Sequence, residues 1–179
     1  MGYWNTRGLR GSTLEEMVNL TNEAYREKQL ALIQKIPTPI TPVELNAKKR
    51  TISLAYFEQK STVDYIGCVQ GIPVCFDAKE TSRKSLPLQN IHHHQIRFMQ
   101  DFHNQKGLAF FLVYFKTAGE YFYLPFETFK DYWNKSQKGE RKSVPYEAFD
   151  KKLQIRSKGK FFLHYLEAMD TYLQNLKKD

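Results

Sequence analysis

Two apolar runs that flank a tight turn constrain the fold of this chain more than any other feature. The segments VDYIGCV (63–69) and IPVCFDAKE (72–80) enclose a Gln-Gly pair, a pattern typical of a β-hairpin. The hairpin nevertheless carries charges in or beside its apolar runs, at Asp64, Asp77 and Lys79. Isolated charges are costly to remove from water, so charged residues in such a place usually have a partner, a metal or a function. The hairpin is therefore the first place to look for a functional site.

Hydrophobic periodicity predicts the elements around this hairpin. In chain order, these are a helix at about 13–28, a strand at 30–36, an extended excursion at about 37–59, a helix at about 88–105, strands at 107–115 and 120–126, and helices at 126–137 and 162–176. This order predicts an α/β fold with a mixed β-sheet flanked by helices, in one domain over residues 1–179. Three prolines within six residues exclude a regular helix or a central strand at the start of the excursion. An excursion this long is usually functional or disordered.

Composition narrows the class of protein. The net charge of +8 and the pI near 9.4 predict attraction to polyanions, and nucleic acid is the first partner to consider. The sequence has no uncharged apolar run of about 18 residues, so we expect no membrane partner and a cytoplasmic location. Cys68 and Cys75 flank the turn of the hairpin, and we interpret them as two small buried thiols rather than a disulfide.

The charged residues of the hairpin form a pattern that could hold a metal ion. Alternate residues of a strand point to the same face, so Asp77 and Lys79 share a face, and Asp64 could meet them across the hairpin. Two carboxylates held close together repel each other unless a cation lies between them. Mg²⁺ is usually held by one or two carboxylates, and a lysine beside it can stabilise the charge that develops on a phosphate. The alternative is a structural salt bridge, although an exposed pair contributes only about 0–1 kcal/mol.

Longer segments of the chain resemble a known family. The pattern D-x(12)-D-A-K across a hairpin is similar to the core of the PD-(D/E)XK nucleases. The segments RGSTLEEMVNLTNEAY, KIPTPI, YFEQKSTVDYIG, FDAKETSRKSLPLQNI and HHHQ resemble, in the same order, the RecU family of Holliday junction resolvases. The resemblance implies a restriction-endonuclease-like core with a protruding stalk. It also implies a Mg²⁺-dependent endonuclease, with Mn²⁺ as a substitute, that acts as a homodimer on four-way DNA junctions in recombination and repair.

The resemblance also implies roles for individual residues. The four residues expected around the metal ion are Thr62, Asp64, Asp77 and Gln95. Lys79 is expected to stabilise the transition state, and Glu15, in the RG-x-x-LE stretch of the first helix, is expected to contribute to catalysis. One departure from the family pattern is visible, because position 77 holds aspartate where the family usually has glutamate. The shorter aspartate side chain would shift the position of the metal ion, which affects the metal preference and the cleavage rate more than the activity itself.

The HHHQ segment also suggests a zinc site, at His92, His93 and His94. Successive residues of a helix lie about 100° apart, so three adjacent histidines cannot bind one metal ion on a helix. We therefore interpret these histidines as polar surface or as phosphate contacts.

The excursion is expected to form the stalk, which in the resembled family projects into the centre of the four-way junction. We expect DNA contacts from Lys48, Lys49 and Arg50 on the stalk, and from Arg10 in the basic N-terminal region. Tyr56 and Phe57 are expected to anchor the return of the stalk to the body.

Two other functions fit the same residues. One is a protein that binds junctions or modulates a recombinase without cutting DNA, and the other is a different PD-(D/E)XK nuclease, such as a restriction enzyme. Recombinase and branch-migration proteins are further partners that the resemblance implies.

Overall fold

The computed structural model of this protein describes residues 13–57 and 62–177. Within these ranges the α-helices are α1 (Thr13–Glu27), α2 (His93–Asn104), α3 (Phe126–Gln137) and α4 (Tyr165–Leu176). The strands are β1 (Leu32–Lys35), β2 (Ile40–Asn46), β3 (Thr51–Phe57), β4 (Tyr65–Val69), β5 (Ile72–Thr81), β6 (Ser85–Pro87), β7 (Leu108–Phe115), β8 (Glu120–Pro125), β9 (Ser143–Pro145) and β10 (Gln154–Ile155).

Six of these strands form one sheet in the order β1-β4-β5-β7-β8-β10. The central pair β5 and β7 is parallel, whereas the other neighbouring strands are antiparallel. Helices cover both faces of this sheet, so the predicted mixed α/β fold is confirmed. β2 and β3 form a separate two-stranded sheet, and so do β6 and β9.

The predicted hairpin is present as β4 and β5. Val69 pairs with Ile72, and the two turn residues between them, Gln70 and Gly71, have φ values of 47° and 87°. Positive φ at both central residues is the requirement of a type I′ turn, whose twist matches that of the strands. Glycine adopts this conformation without a steric penalty, which explains the Gln-Gly pair at this turn.

A row of stacked aromatic rings fixes the register of the central strands. Tyr65 stacks on Phe76 with ring centroids 4.7 Å apart, Phe76 stacks on Phe110 at 4.7 Å, and Phe110 stacks on Tyr123 at 4.4 Å. These rings belong to the core that α1 and α4 cover. A shift of one residue in any strand would move its aromatic ring to the opposite face. The aromatic row therefore also fixes which side chains face α2 and α3.

The second core lies on the other face of the sheet, beneath α2 and α3. Phe111 and Val113 of β7 pack there with Met99 of α2 and Phe129 of α3. Asp77 of β5 pairs with Phe111, so it also belongs to this face. Among the described residues, none of the helices is both long and apolar enough to cross a membrane.

The structure corrects the predicted start of the second helix. Residues Leu88–Asn90 form a separate 3₁₀ turn, and α2 begins at His93 rather than near residue 88. Ile91 and His92 are extended between the two helices, and the Ile91 side chain is buried in the second core. The sequence lacks the usual Ser, Thr, Asp or Asn before α2, so the true helix start was marked only by Gln95 at the third helical position, which accepts a bond from the His92 amide.

The interpretation of both cysteines as buried is wrong at Cys68. Cys75 is buried, whereas Cys68 is exposed, and both are free thiols. Cys68 pairs with Pro73 near the turn of the hairpin. Burial raises the pKa of Cys75 to about 12, so its thiol stays protonated at neutral pH.

Candidate active site

The hairpin places two carboxylates opposite each other at its open end. The ladder between β4 and β5 ends at the pair Tyr65 and Phe76, and Asp64 and Asp77 lie one step beyond it. The Ala78 amide donates a hydrogen bond to Asp64 Oδ2 at 2.9 Å, and the Asp64 amide donates to Asp77 Oδ1 at 3.2 Å. Each carboxylate is thus held by the backbone of the opposite segment, so the hairpin itself positions the pair.

Asp77 is fully buried and its oxygens are surrounded by donors. Its side chain is 0% exposed and forms an ion pair with Lys79, which is 18% exposed. Gln95 Nε2 lies 3.1 Å and 3.2 Å from the two carboxylate oxygens of Asp77. A buried carboxylate needs such partners, because an unpaired one would be very costly to remove from water. The predicted sharing of a face by Asp77 and Lys79 is confirmed.

The second carboxylate, Asp64, has an unusual acidity. Its pKa is raised to about 7, mainly by burial, and secondly by repulsion from the neighbouring carboxylate of Asp77. A carboxyl group with this pKa exchanges its proton near neutral pH. A positive charge placed between the two side chains would remove this repulsion and favour the ionised form.

The oxygen ligands available at this position suit a hard divalent cation. Asp64 and Asp77 supply carboxylate oxygens, and Thr62 lies two residues before Asp64. Mg²⁺ is commonly held by one or two carboxylates together with water, so the pair fits this ion. Among the residues that the structure describes, no group of three or more His, Cys, Asp or Glu side chains is arranged to hold a metal ion. The described residues therefore offer no zinc site at His92, His93 and His94.

Gln95 is held between the helix start and the buried carboxylate. Its Oε1 accepts a hydrogen bond from the His92 amide at 3.1 Å, and its Nε2 faces Asp77. Gln95 therefore presents a donor rather than an oxygen to the site in this arrangement. For the amide oxygen to reach a cation beside Asp77, the side chain must turn over and lose the bond to His92.

Glu15 lies on α1, which covers the face of the sheet opposite α2. Its Oε2 forms an ion pair of 2.6 Å with Lys35 on the edge strand β1. The Tyr65 hydroxyl contacts the Glu15 carbonyl at 3.4 Å, so α1 is attached close to the hairpin. The sequence did not predict this ion pair. Lys35 comes near α1 through the pairing of β1 with β4, which the sequence alone does not reveal.

The family of this chain is shown by comparison with known proteins. A family model described as Recombination protein U, RecU, matches residues 9–171. The chain belongs to the RecU family. This confirms the resemblance of the sequence segments, which covers the hairpin and its flanking helices.

Individual members of the RecU family are similar over nearly the whole chain. The Holliday junction resolvase RecU of Staphylococcus carnosus is 40% identical over 175 residues, which cover 96% of this chain and 81% of the relative. The Holliday junction resolvase RecU of Oceanobacillus iheyensis is 40% identical over 173 residues, covering 94% and 85%. That of Staphylococcus aureus strain JH9 is 37% identical over 183 residues, covering 96% and 85%.

A solved structure of an archaeal resolvase is only distantly similar to this RecU-family chain. The Hjc Holliday junction resolvase of the archaeon Archaeoglobus fulgidus shares 8% identity, with a TM-score of 0.37 over 63% of this chain and 75% of Hjc. A similarity this low supports no conclusion about fold or function.

The excursion of this RecU-family chain is a two-stranded ribbon, β2 and β3, and within the described residues these strands pair only with each other. Lys48, Lys49 and Arg50 lie at its tip, and all three are exposed. Tyr56 and Phe57 are 64% and 79% exposed, so the expectation that they anchor the ribbon to the body is wrong. Both residues belong to β3, which among the described strands pairs with β2 and not with the main sheet. Arg10 lies outside the described residues.

Sequence reasoning missed a groove between α2 and α3. It has a volume of about 900 Å³, and its lining includes Thr62, Arg97, Lys130 and Trp133. The spacing of Lys130 and Trp133 by three residues on a predicted helix is a weak signal for such a surface. The position of α2 beside α3 could not be read from the sequence.

Proposed function

We propose that this protein is a divalent-metal-dependent endonuclease that resolves four-way DNA junctions by cutting phosphodiester bonds, during recombination and repair. The observation that carries the proposal is the opposed pair Asp64 and Asp77 with Lys79 beside it, within a chain of the RecU family. Relatives that align with more than nine tenths of this chain are named Holliday junction resolvases. The net charge of +8 suits a polyanionic substrate.

In this proposal, Asp64 and Asp77 hold Mg²⁺ or Mn²⁺ through their carboxylate oxygens, and Thr62 and Gln95 complete the protein's share of the ligands. When bound, the cation polarises the scissile phosphate and lowers the pKa of water. Asp64 must lose its proton first, so loading of the site releases a proton at and below about pH 7. The bond from the Ala78 amide holds Asp64 in place, whereas Gln95 would give up its bond to Asp77 when it turned its oxygen toward the cation.

Lys79 is the residue proposed to stabilise the transition state. Its ammonium group is mostly shielded from water and is paired with Asp77. A charge held in such a place acts more strongly on a developing negative charge than it would in water. With a cation held by Asp64 and Asp77, Lys79 would be available to bind a phosphate oxygen of the cut strand.

Selection of the junction is proposed to come from the ribbon of residues 40–57. A four-way junction offers shape rather than a fixed sequence, and phosphate contacts supply affinity that depends on salt. Lys48, Lys49 and Arg50 lie together at the tip of the ribbon, one seven-residue strand away from its base. The ribbon can thus contact the junction centre while the hairpin contacts a strand beside it.

A homodimer is proposed because resolution requires cuts in two opposed strands, which a twofold pair of sites would make. The ribbon's exposed apolar side chains, which include Leu45 and Tyr56, support an interface there. Sedimentation of the free protein tests this proposal, and a monomer at micromolar concentration would contradict it.

The function is tested by incubating a labelled four-way junction with the protein and Mg²⁺ or Mn²⁺, followed by mapping of the cuts. We expect paired nicks at symmetric positions near the crossover. Cuts at one sequence in linear duplex would instead favour a restriction-type nuclease. Tight binding to the junction without any cuts would favour a non-catalytic junction-binding protein.

A further inference from the structure

The groove between α2 and α3 lies next to the proposed cutting site. Thr62, two residues before Asp64, is part of its lining. Gln95 follows directly after the histidines that line the groove, and its amide contacts Asp77 at 3.1 Å. A strand cut beside Asp77 therefore has its neighbouring nucleotide within reach of the groove.

The groove contains a half-buried aromatic platform. The Trp133 ring packs against His93 with centroids 4.9 Å apart and an interplanar angle of 78°, and it also packs on Phe129 at 6.1 Å. A second hollow of about 440 Å³ lies on the other side of the His93 and Trp133 pair. Aromatic rings held in this way are common stacking surfaces for unpaired bases.

The charges of the groove suit a phosphate. Arg97 and Lys130 both line it, and no carboxylate of the described residues forms an ion pair with either. Asp101 also lines the groove and carries the opposite charge, so the two cations exceed it by one. Unpaired basic side chains beside an aromatic ring combine the two contacts that single-stranded nucleic acid requires.

We propose that this groove binds one unpaired nucleotide of the cut strand, adjacent to the scissile phosphate, with its base on Trp133 and its phosphate at Arg97 and Lys130. The groove's volume of about 900 Å³ falls in the range of small-molecule sites. Base pairs are opened most easily where stacking is already interrupted, as at the crossover of a junction. Occupancy of the groove would therefore favour particular cut positions. This inference rests on the proposed function and extends it to the nucleotide that the site selects.

Photo-crosslinking tests this placement without any cleavage. Junctions carry 5-iododeoxyuridine at single positions on each side of the mapped cut, and they are bound to the full-length protein in EDTA. After irradiation, the crosslinked peptide is identified by mass spectrometry. We expect a crosslink to His93 or Trp133 from a nucleotide next to the cut, and its loss in Trp133→Ala. A crosslink confined to other elements overturns the inference.

Cleavage by matched variants gives the second measurement. On a junction whose crossover can migrate through many sequences, Trp133→Ala is expected to lower cutting at the preferred positions by about tenfold. Trp133→Phe, which keeps a stacking surface, is expected to retain most of the preference. Tyr132→Ala is the control, because Tyr132 lies on the same helix but does not line the groove. An identical distribution of cuts in Trp133→Ala and Tyr132→Ala would overturn the inference.

The two levels of the proposal fail in different ways. If the wild-type protein binds junctions but cuts none, the proposed function is wrong. If the wild-type protein cuts junctions and Trp133 has no influence on crosslinking or position, only the groove assignment is wrong. The melting temperature of each variant shows whether a loss of crosslinking or cleavage comes from destabilisation, through the lost contact with Phe129, rather than from a lost contact with DNA.

Discussion

Two hairpins of this chain depart in opposite ways from the usual rule that charged side chains are exposed and apolar side chains are buried. The hairpin β4–β5 buries charged side chains at its open end, where Asp77 has no exposed surface. The ribbon β2–β3 exposes apolar side chains, where Phe57 is 79% exposed. Buried charge is costly and exposed apolar surface is unfavourable, so each departure indicates a requirement other than folding.

The difference lies in how each hairpin is supported. In β4–β5, the stacked rings of Tyr65 and Phe76 pack in the core, so the position of the carboxylates is set by the fold. In the part of the chain that the structure describes, the ribbon pairs only with itself, and its shape is set by local strand pairing. The contrast implies that cutting depends on the packed body, while selection of the substrate depends on an element that the body does not need.

The largest expected effect comes from neutralising the buried carboxylate. Asp77→Asn should lower junction cleavage by about 10³-fold or more, since it removes a metal ligand worth several kcal/mol of charge stabilisation. Asp64→Asn should have an effect of similar size. Single-turnover cleavage at saturating protein measures both. Retention of even a tenth of the wild-type rate would contradict a metal role for these residues.

Removal of the ribbon should have the next largest effect. Replacing residues 38–57 by a short Gly/Ser link should reduce the preference for four-way junctions over duplex by about 30-fold, because several phosphate contacts are lost. Resolution should be lost with it. The free energy of unfolding of the monomer should change by less than about 1 kcal/mol, since almost all ribbon side chains are exposed within one chain. A failure of the shortened protein to fold would show that the two hairpins are not independent.

Lys79→Ala should lower the cleavage rate by at least about tenfold, because it removes a shielded charge near the reacting phosphate. Its affinity for Mg²⁺ should change little, since lysine is not a ligand. Titration of the metal ion against cleavage rate separates the two quantities. Full activity in this variant would refute the assignment of Lys79.

Much of the buried site could be predicted from the sequence, while its surroundings could not. The twelve-residue spacing between Asp64 and Asp77 fixes a short hairpin, and strand alternation places Lys79 on the same face. The orientation of Gln95 depends on the break at Ile91 and His92, which the apolar pattern conceals. The separation of Tyr56 and Phe57 from the core could not be predicted, because aromatic residues in a strand usually indicate burial.

The smallest expected effect concerns stability. Because the pKa of Asp64 is about 7 in the folded protein and near 4 when unfolded, the folded state binds the extra proton between these values. Stability of the wild-type protein should therefore fall as pH rises from about 4 to about 7. In EDTA, Asp64→Asn should melt about 2–4 °C above wild type at pH 8, an increase on the order of 1 kcal/mol, with a smaller difference at pH 5. Asp77→Asn, which leaves Lys79 unpaired, should melt below wild type at pH 8.

The central claim is that Asp64 and Asp77 are required for cleavage, whereas the ribbon β2–β3 provides the preference for four-way junctions over duplex. It is tested most directly by the ratio of junction affinity to duplex affinity, measured by gel shift at one salt concentration in EDTA. Wild type and Asp77→Asn should give the same high ratio, and the protein without residues 38–57 should give a ratio near one. A ratio near one in the intact protein, or a loss of preference in Asp77→Asn as large as its loss of cleavage, would contradict the account.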